Sequence, residues 1–352
     1  MIKYQKLIYL LLVSPIISAN VGIEEIVTTG SLVNNPEQDA SPVDVISPED
    51  FKNFNISNFA EISKYITSSS GSHFQTNALE GVDQGMASIT LRGLDHASTL
   101  LLVNSKRHTF AGTPSNQGEG YIDVNIIPEI AIKQIEILKE GATSLYGSDA
   151  VAGVVNVLTQ KDFEGFKVRI SDYETTNYNQ NDKSLGLIIG SNYKNGNYIF
   201  GINLLDRSSL SASEIPGIAE LGLSTLGKSF KTSAADTIND GLYAGSYEAN
   251  QWVPDPQCEN NGGVIAGSFC KFLYGNRFNI VNDEDHAKAY ANLTFQKNNF
   301  NYEMTFITSR VEVNDNPQSP SYPALPFLSR KIQPDQGGSP FNVPVTWYGR
   351  PL

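Results

Sequence analysis

The sequence has little of what metal frameworks and redox centres are built from. It holds two cysteines and four histidines in 352 residues, and His73, His96, His108 and His286 show no metal-ligand spacing, so no metal site is assigned. Basic residues are scarce as well: 25 Lys and Arg stand against 37 Asp and Glu, a formal net charge of -12. Nucleic acid is therefore disfavoured as a partner, because its phosphates demand a basic face. Long apolar runs are missing beyond the first 19 residues, where no segment approaches the ~20 apolar residues of a spanning helix. Any membrane insertion would have to go through a barrel. No nucleophile-elbow or paired-carboxylate motif occurs either, so no catalytic residue, no cofactor and no enzyme activity are expected.

What is present points to a β-rich exported chain: 16 Tyr, 17 Phe and 29 Gly against 3 Met. Lys3 and Lys6 precede the apolar run 7–17, and Ser18 and Ala19 offer a small-residue cleavage site, so residues 1–19 read as a secretory signal peptide. Residues 23–31 are a short β-prone stretch followed by a polar linker containing Pro36. Such a tethered stretch suits strand addition to a partner's sheet edge, or else is the first strand of the domain behind it.

The rest of the chain is organised around residues 127–160. After Pro128, Ile135 and Ile137 alternate with Gln134 and Glu136, the period of a half-buried strand. Gly141, Gly147 and Gly153 then supply tight turns before a second apolar strand over 154–159. The run 135–157, I-E-I-L-K-E-G-A-T-S-L-Y-G-S-D-A-V-A-G-V-V-N-V, closely resembles the end of the plug domain of TonB-dependent outer-membrane receptors. Ile89-Thr90-Leu91-Arg92-Gly93-Leu94 and the strand over 99–104 resemble that family's I-R-G-L and L-V-x-[ND]-G-x-R elements, in the same order.

The resemblance implies an α+β plug domain over 42–160, followed by an antiparallel transmembrane β-barrel over 163–352 that is incomplete here. It implies that residues 23–31 are a TonB box, with Glu24, Glu25, Ile26, Val27, Thr28, Thr29 and Gly30 gripped by TonB, itself energised by ExbB-ExbD. It implies that Arg92 faces carboxylates of the barrel wall, and that Arg107, His108 and Phe110 lie on an outward plug loop touching a small-molecule ligand. Lys139-Glu140-Gly141 departs from the family's R-G-x-[AS] turn, which puts a second arginine pair in doubt. The function implied is uptake of a scarce ligand, an iron chelate, a vitamin or an oligosaccharide, across the outer membrane and its lipid. The alternative is a secreted or surface protein that binds or signals without transport.

Within the plug, residues 43–47 read as a strand, Pro48 opens a helical turn, and Phe59, Ile62 and Ile66 stand at helical spacing with Ser57 as the N-cap. After Lys161 the alternation repeats: Phe166, Val168 and Ile170, then Leu185, Leu187 and Ile189, then Tyr198, Phe200, Ile202 and Leu204. Asn195-Gly196 marks one hairpin and residues 297–299 another, with long links expected at 172–184, 210–288 and from 311 onward. A secreted sandwich would alternate too. A plug-filled barrel needs about 22 strands, more than residues 163–352 can supply, so a truncated sequence is expected.

Cys258 and Cys270 are close in sequence in an exported chain, which favours a disulfide over a reactive or metal-bound thiol. Residues 222–229 fit the phosphate-loop expression G-x-x-x-x-G-K-[ST], but no buried strand precedes them, so no nucleotide is expected. Asp283, Glu284 and Asp285 could hold calcium or simply form a solvated loop.

Overall fold

The computed structural model describes residues 29, 43–54, 56–72, 87–112, 114–115, 118–224, 227–277, 279–313, 329–336 and 339–349. The first domain is a five-stranded sheet. Its strands are β1 (Val43–Ile46), β2 (Thr99–Val103), β3 (Lys106–Arg107), β4 (Ile132–Leu138) and β5 (Gly153–Thr159), in the order β1-β4-β5-β2-β3. β2 and β5 run parallel and the other neighbours antiparallel.

Alternation along β4 and β5 places Ile135, Ile137, Val155 and Val157 on one face, where Phe51, Phe59, Ile62 and Leu91 close the core. Each such buried side chain contributes about 1.5–3 kcal/mol. The other face packs Leu100, Leu102, Leu138 and Val154 under Ala142 and Ala150 of the connecting turn. Gly153 makes that turn possible: its φ is +147°, and a Cβ there would lie 2.4 Å from the Leu138 carbonyl oxygen and 2.8 Å from Leu91 Cδ1. The turn also contains one short helix, α2 (Thr143–Tyr146). The other helix, α1 (Pro48–Asn53), starts on a proline, with Asp50 Oδ2 accepting from the Ser47 backbone N–H at 2.8 Å.

Two expectations for this domain fail. The helical spacing over residues 56–66 is realised as a 3₁₀ segment, Phe59–Tyr65, capped by Asn58 and not by Ser57. Three residues per turn stack Phe59 directly over Ile62, so the apolar spacing fits either helix type. The strand expected over 89–94 shrinks to one bridge, Leu91 to Ser69, because Arg92 (φ 60°) and Gly93 (φ 65°) turn the chain away at once.

Behind this domain stands an antiparallel wall of five long strands. β6 (Gly165–Glu174), β7 (Asn181–Tyr193) and β8 (Gly196–Arg207) are followed by Glu284–Lys297 and Phe300–Val313, each paired with its predecessor. The hairpins at 194–195 and 298–299 fall where expected. The link between β6 and β7 is much shorter than expected, since both strands continue past the last apolar residue and leave only residues 175–180. The wall's inner face carries Asn197, Asn203, Arg207, His286, Lys288 and Asn292, all buried, while Phe166, Ile170, Phe200, Ile202, Met304 and Phe306 are exposed on the outer face.

The link between β8 and Glu284–Lys297 supplies two strands, and the chain beyond Val313 two more, of a further unit with a four-stranded sheet, in the order Trp252–Pro254, Lys228–Thr232, Val345–Gly349, Ser329–Ile332. Phe230, Val253, Phe341 and Val345 form its core. Cys258 and Cys270 are joined in a disulfide, with Cα atoms 5.7 Å apart, that ties down the hairpin Gly263–Ala266/Phe269–Phe272.

Candidate functional site

The chemistry-bearing residues gather at the seam where the first domain meets the wall. Register builds one half of it. Arg207 on β8 pairs with Asp182 on β7 and with Glu284 on the next strand, so all three side chains point inward side by side. The Arg207 guanidinium, 1% exposed, donates to Asp182 (Nε to Oδ1, 2.9 Å) and lies 3.6 Å from Glu284. It also donates at 3.3 Å to Glu61 from the first domain. His286 Nε2 lies 3.1 Å from the same Glu284 carboxylate.

Two residues along, Lys288 Nζ donates to Glu129 Oε1 at 2.6 Å, and that oxygen also accepts from the Phe59 backbone N–H at 2.9 Å. Asn203 Oδ1 accepts from the Ile130 backbone N–H at 2.9 Å, and Tyr290 donates its hydroxyl to the Gln160 carbonyl at 2.6 Å. Ile130 itself sits over Gly186 and Gly201, where a Cβ would lie 3.2 and 3.4 Å from it. Around it Ala131, Ile188, Ile199 and Tyr290 form a small apolar cluster. The seam thus combines a few apolar contacts with charge-assisted hydrogen bonds. Burial beside it pushes the Asp123 carboxyl above the usual carboxylate range, against the Asn125 N–H and the nearby Lys288 and His286 charges.

The sense of these pairs is the reverse of the expected one. Arg92 was expected to reach wall carboxylates; its side chain is exposed and it has no ion pair among the described residues. Instead the first domain supplies the carboxylates, Glu61 and Glu129, and the wall supplies the cations, Arg207 and Lys288. The sequence carried a signal for the wall residues, since Arg207 and Lys288 continue the inner alternation of their strands. The apolar runs alone stop short of both: Arg207 falls beyond Leu204, and Lys288 falls at the end of the expected link 210–288.

Arg107, His108 and Phe110 are exposed, Phe110 with its ring over Gly120. Arg107 is committed to an ion pair with Asp149 and a bond to the Tyr146 carbonyl, and this holds the Asp149 carboxyl below the usual range. Residues 24–28 and 30 lie outside the described residues. Thr29 is buried against the sheet, donating its hydroxyl to Glu136 and accepting from Asn156 Nδ2 at 3.0 Å. The phosphate-loop look-alike is spent on structure: Lys228 opens a strand and bonds Asp255 at 2.7 Å, and the Cys270 backbone N–H donates to Ser229 Oγ at 2.9 Å. Glu284 of the acidic cluster faces Arg207.

Residues 36–154 match the family model described as TonB-dependent Receptor Plug Domain. The chain is 41% identical over 75 residues to an iron-regulated outer membrane virulence protein of Vibrio cholerae serotype O1, covering 21% of this chain and 12% of the relative. It is 34% identical over 127 residues to a probable TonB-dependent siderophore receptor PirA of Acinetobacter baumannii, covering 34% of this chain and 16% of that protein. Similar solved structures include the siderophore receptor PirA from Acinetobacter baumannii (TM-score 0.48, 18% identity, 78% of this chain and 32% of that one). Another is a mutant ferric enterobactin receptor PfeA from Pseudomonas aeruginosa in complex with enterobactin (TM-score 0.46, 19% identity, 77% and 33%). The chain spans less than a fifth of the length of these curated relatives and about a third of these solved chains.

Residues 36–154, which match the plug model and form a sheet seated through buried ion pairs on an antiparallel wall, are therefore a plug domain of the kind found in TonB-dependent receptors. The described residues comprise this plug domain and a five-stranded antiparallel wall.

Proposed function

We propose that the protein takes up a scarce iron chelate across the outer membrane, with the plug seated in the barrel until TonB acts on it. The observation that supports this best is the seam itself. Glu61–Arg207 and Glu129–Lys288 fix the plug to the wall by contacts that a directed pull can undo, which a domain built only to bind would not need. Likeness to an iron-regulated outer membrane protein and to a probable siderophore receptor favours an iron chelate over a vitamin or an oligosaccharide.

In this reading residues 24–30 add as a strand to TonB, energised by ExbB-ExbD, and Thr29 joins that handle to the plug sheet. Arg107, His108 and Phe110 form the ligand-side apex of the plug, with Phe110 free to contact the chelate. The apolar outer face of the wall lies against outer-membrane lipid, reached through export and removal of residues 1–19.

The test is accumulation of radiolabelled iron(III) chelates by cells that carry the receptor, with and without TonB, alongside membrane fractionation. Accumulation that disappears without TonB is expected. Binding without TonB-dependent accumulation would leave the binding or signalling reading.

A further inference from the structure

The unit with the four-stranded sheet has a face that its core does not use. Register places Trp252, Lys231, Thr346 and Lys331 in one row across four strands, each opposite the next. Directly paired residues share a face, so all four side chains point away from the Phe230 core. The two lysines flank Thr346 on either side, which sets their strands about 10 Å apart. Lys231 Nζ stands 5.8 Å from the Trp252 ring centroid. Trp252 also contacts Phe269 and Tyr348, with ring centroids 4.8 and 4.7 Å away.

Ser229, in the next row of the same face, accepts from the Cys270 backbone N–H, so the disulfide-tied hairpin walls one end of this shelf, while Lys331 at the other is exposed among the described residues. Lys228 on the same strand bonds Asp255, whereas neither Lys231 nor Lys331 has a carboxylate partner among the described residues. In a chain of net charge -12, two such cations framed by three aromatic rings form a local field opposite to the rest of the molecule.

We propose that this shelf is a binding site for a small, negatively charged, ring-bearing ligand, its anionic groups on Lys231 and Lys331 and its rings on Trp252, Phe269 and Tyr348. The inference deepens the uptake reading and rests on it for the shelf facing outside. Both segments that build the unit, the link after β8 and the chain after Val313, leave the wall at the end opposite the tight turns 194–195 and 298–299, where such receptors must meet their cargo.

The test uses the full-length receptor in outer-membrane vesicles, with iron(III) tris-catecholate as the anionic aromatic probe and iron(III) citrate as an anionic probe without rings. Retained iron gives the dissociation constant. K231Q/K331Q is expected to weaken the catecholate complex about tenfold or more, K231R to keep it within about twofold, and Trp252→Leu to weaken the catecholate but not citrate. An intact Cys258–Cys270 disulfide in each variant shows that the unit is folded. Unchanged catecholate affinity in K231Q/K331Q overturns the proposal, as does an equal loss for both probes or no catecholate binding by the parent. The uptake reading fails separately: lysine-sensitive catecholate binding without TonB-dependent accumulation keeps the shelf and sinks transport, and TonB-dependent accumulation untouched by K231Q/K331Q does the reverse.

Discussion

At the scale of single residues, Arg207 carries the largest consequence. Three carboxylates from two domains surround it, and each was stripped of water to reach that position. Removing one partner of a buried ion pair costs far more than the pair contributes, because the opposite charge stays buried. Arg207→Leu is therefore expected to destabilise the folded receptor by about 3–5 kcal/mol, read as a drop in the denaturant midpoint of plug release. Glu61→Gln is expected to cost less, since Asp182 and Glu284 still face the guanidinium. Thr29 is a smaller case of the same rule. Thr29→Val takes a hydroxyl from Glu136 and Asn156 while keeping the side-chain shape, with an expected cost of about 1–3 kcal/mol. Faster protease cleavage near residue 29 in the intact receptor checks it; unchanged cleavage would mean that the contact does not hold the segment. None of these side chains stood out in the sequence, where Arg92 drew attention through its motif. A charge at an inner position is recognisable only once the strand is known to extend that far.

Elements were legible in proportion to how local their signals are. Asn195-Gly196 and the period-2 runs around it placed β7 and β8, and the apolar runs of residues 127–160 placed β4 and β5. The 3₁₀ segment was read as an α-helix because buried residues three apart suit both. The sheet of the further unit was not legible, since Lys228–Thr232 pairs with Val345–Gly349, more than 100 residues further along, and no local pattern encodes that partner. Its cysteines were legible, and they give a prediction at this scale. Cys258→Ser/Cys270→Ser releases a loop of about a dozen residues and should lower the stability of the unit by about 2–3 kcal/mol, seen as a reductant-sensitive transition that the parent loses on reduction. Asp255 adds a pH dependence. Burial pushes its carboxyl up, but Lys228 and the Gln257 N–H outweigh this and hold it below the usual 3.8. A depressed carboxylate stabilises the fold above its unfolded pKa and loses that contribution as pH falls through the lower folded value. The unit should therefore be indifferent to pH above about 5 and weaken only below 3.8, an effect that Asp255→Asn abolishes.

At the scale of the whole molecule, the wall sorts its side chains by solvent and not by core. On β8 the inner residues Asn197, Asn203 and Arg207 are polar and buried, while the outer residues Phe200 and Ile202 are apolar and exposed, Phe200 by 56%. The inner face is covered by the plug, and its polar groups find partners there and in the segment behind it: Arg207 on Glu61, Asn203 on the Ile130 N–H and Asn197 Nδ2 on the Phe163 carbonyl. The outer face has no such partners among the described residues, and a contiguous exposed apolar surface calls for cover, which lipid supplies in an outer-membrane barrel. Tyr198, Phe295, Phe300 and Tyr302 collect near the two tight turns, as an interfacial aromatic girdle would, and Phe295 stacks on Tyr302 at 4.7 Å. At the other end the outer row becomes charged: Asp172, Lys183, Asp206 and Asp285 face one another across four strands. Between girdle and charges, β8 spans residues 198 to 204, about 20 Å at ~3.3 Å per residue, close to the ~25 Å apolar band of an outer-membrane barrel. Phe200 lies within that band and Asp206 beyond it. Phe200→Arg is therefore expected to cost about 2–4 kcal/mol and to cut the amount of folded receptor in the membrane, whereas Asp206→Arg should leave it nearly unchanged. The level of heat-modifiable, detergent-resistant barrel in outer-membrane fractions decides between them. Equal levels for the two variants would mean that this face meets water or protein, and the reading of the wall as membrane-spanning would fall.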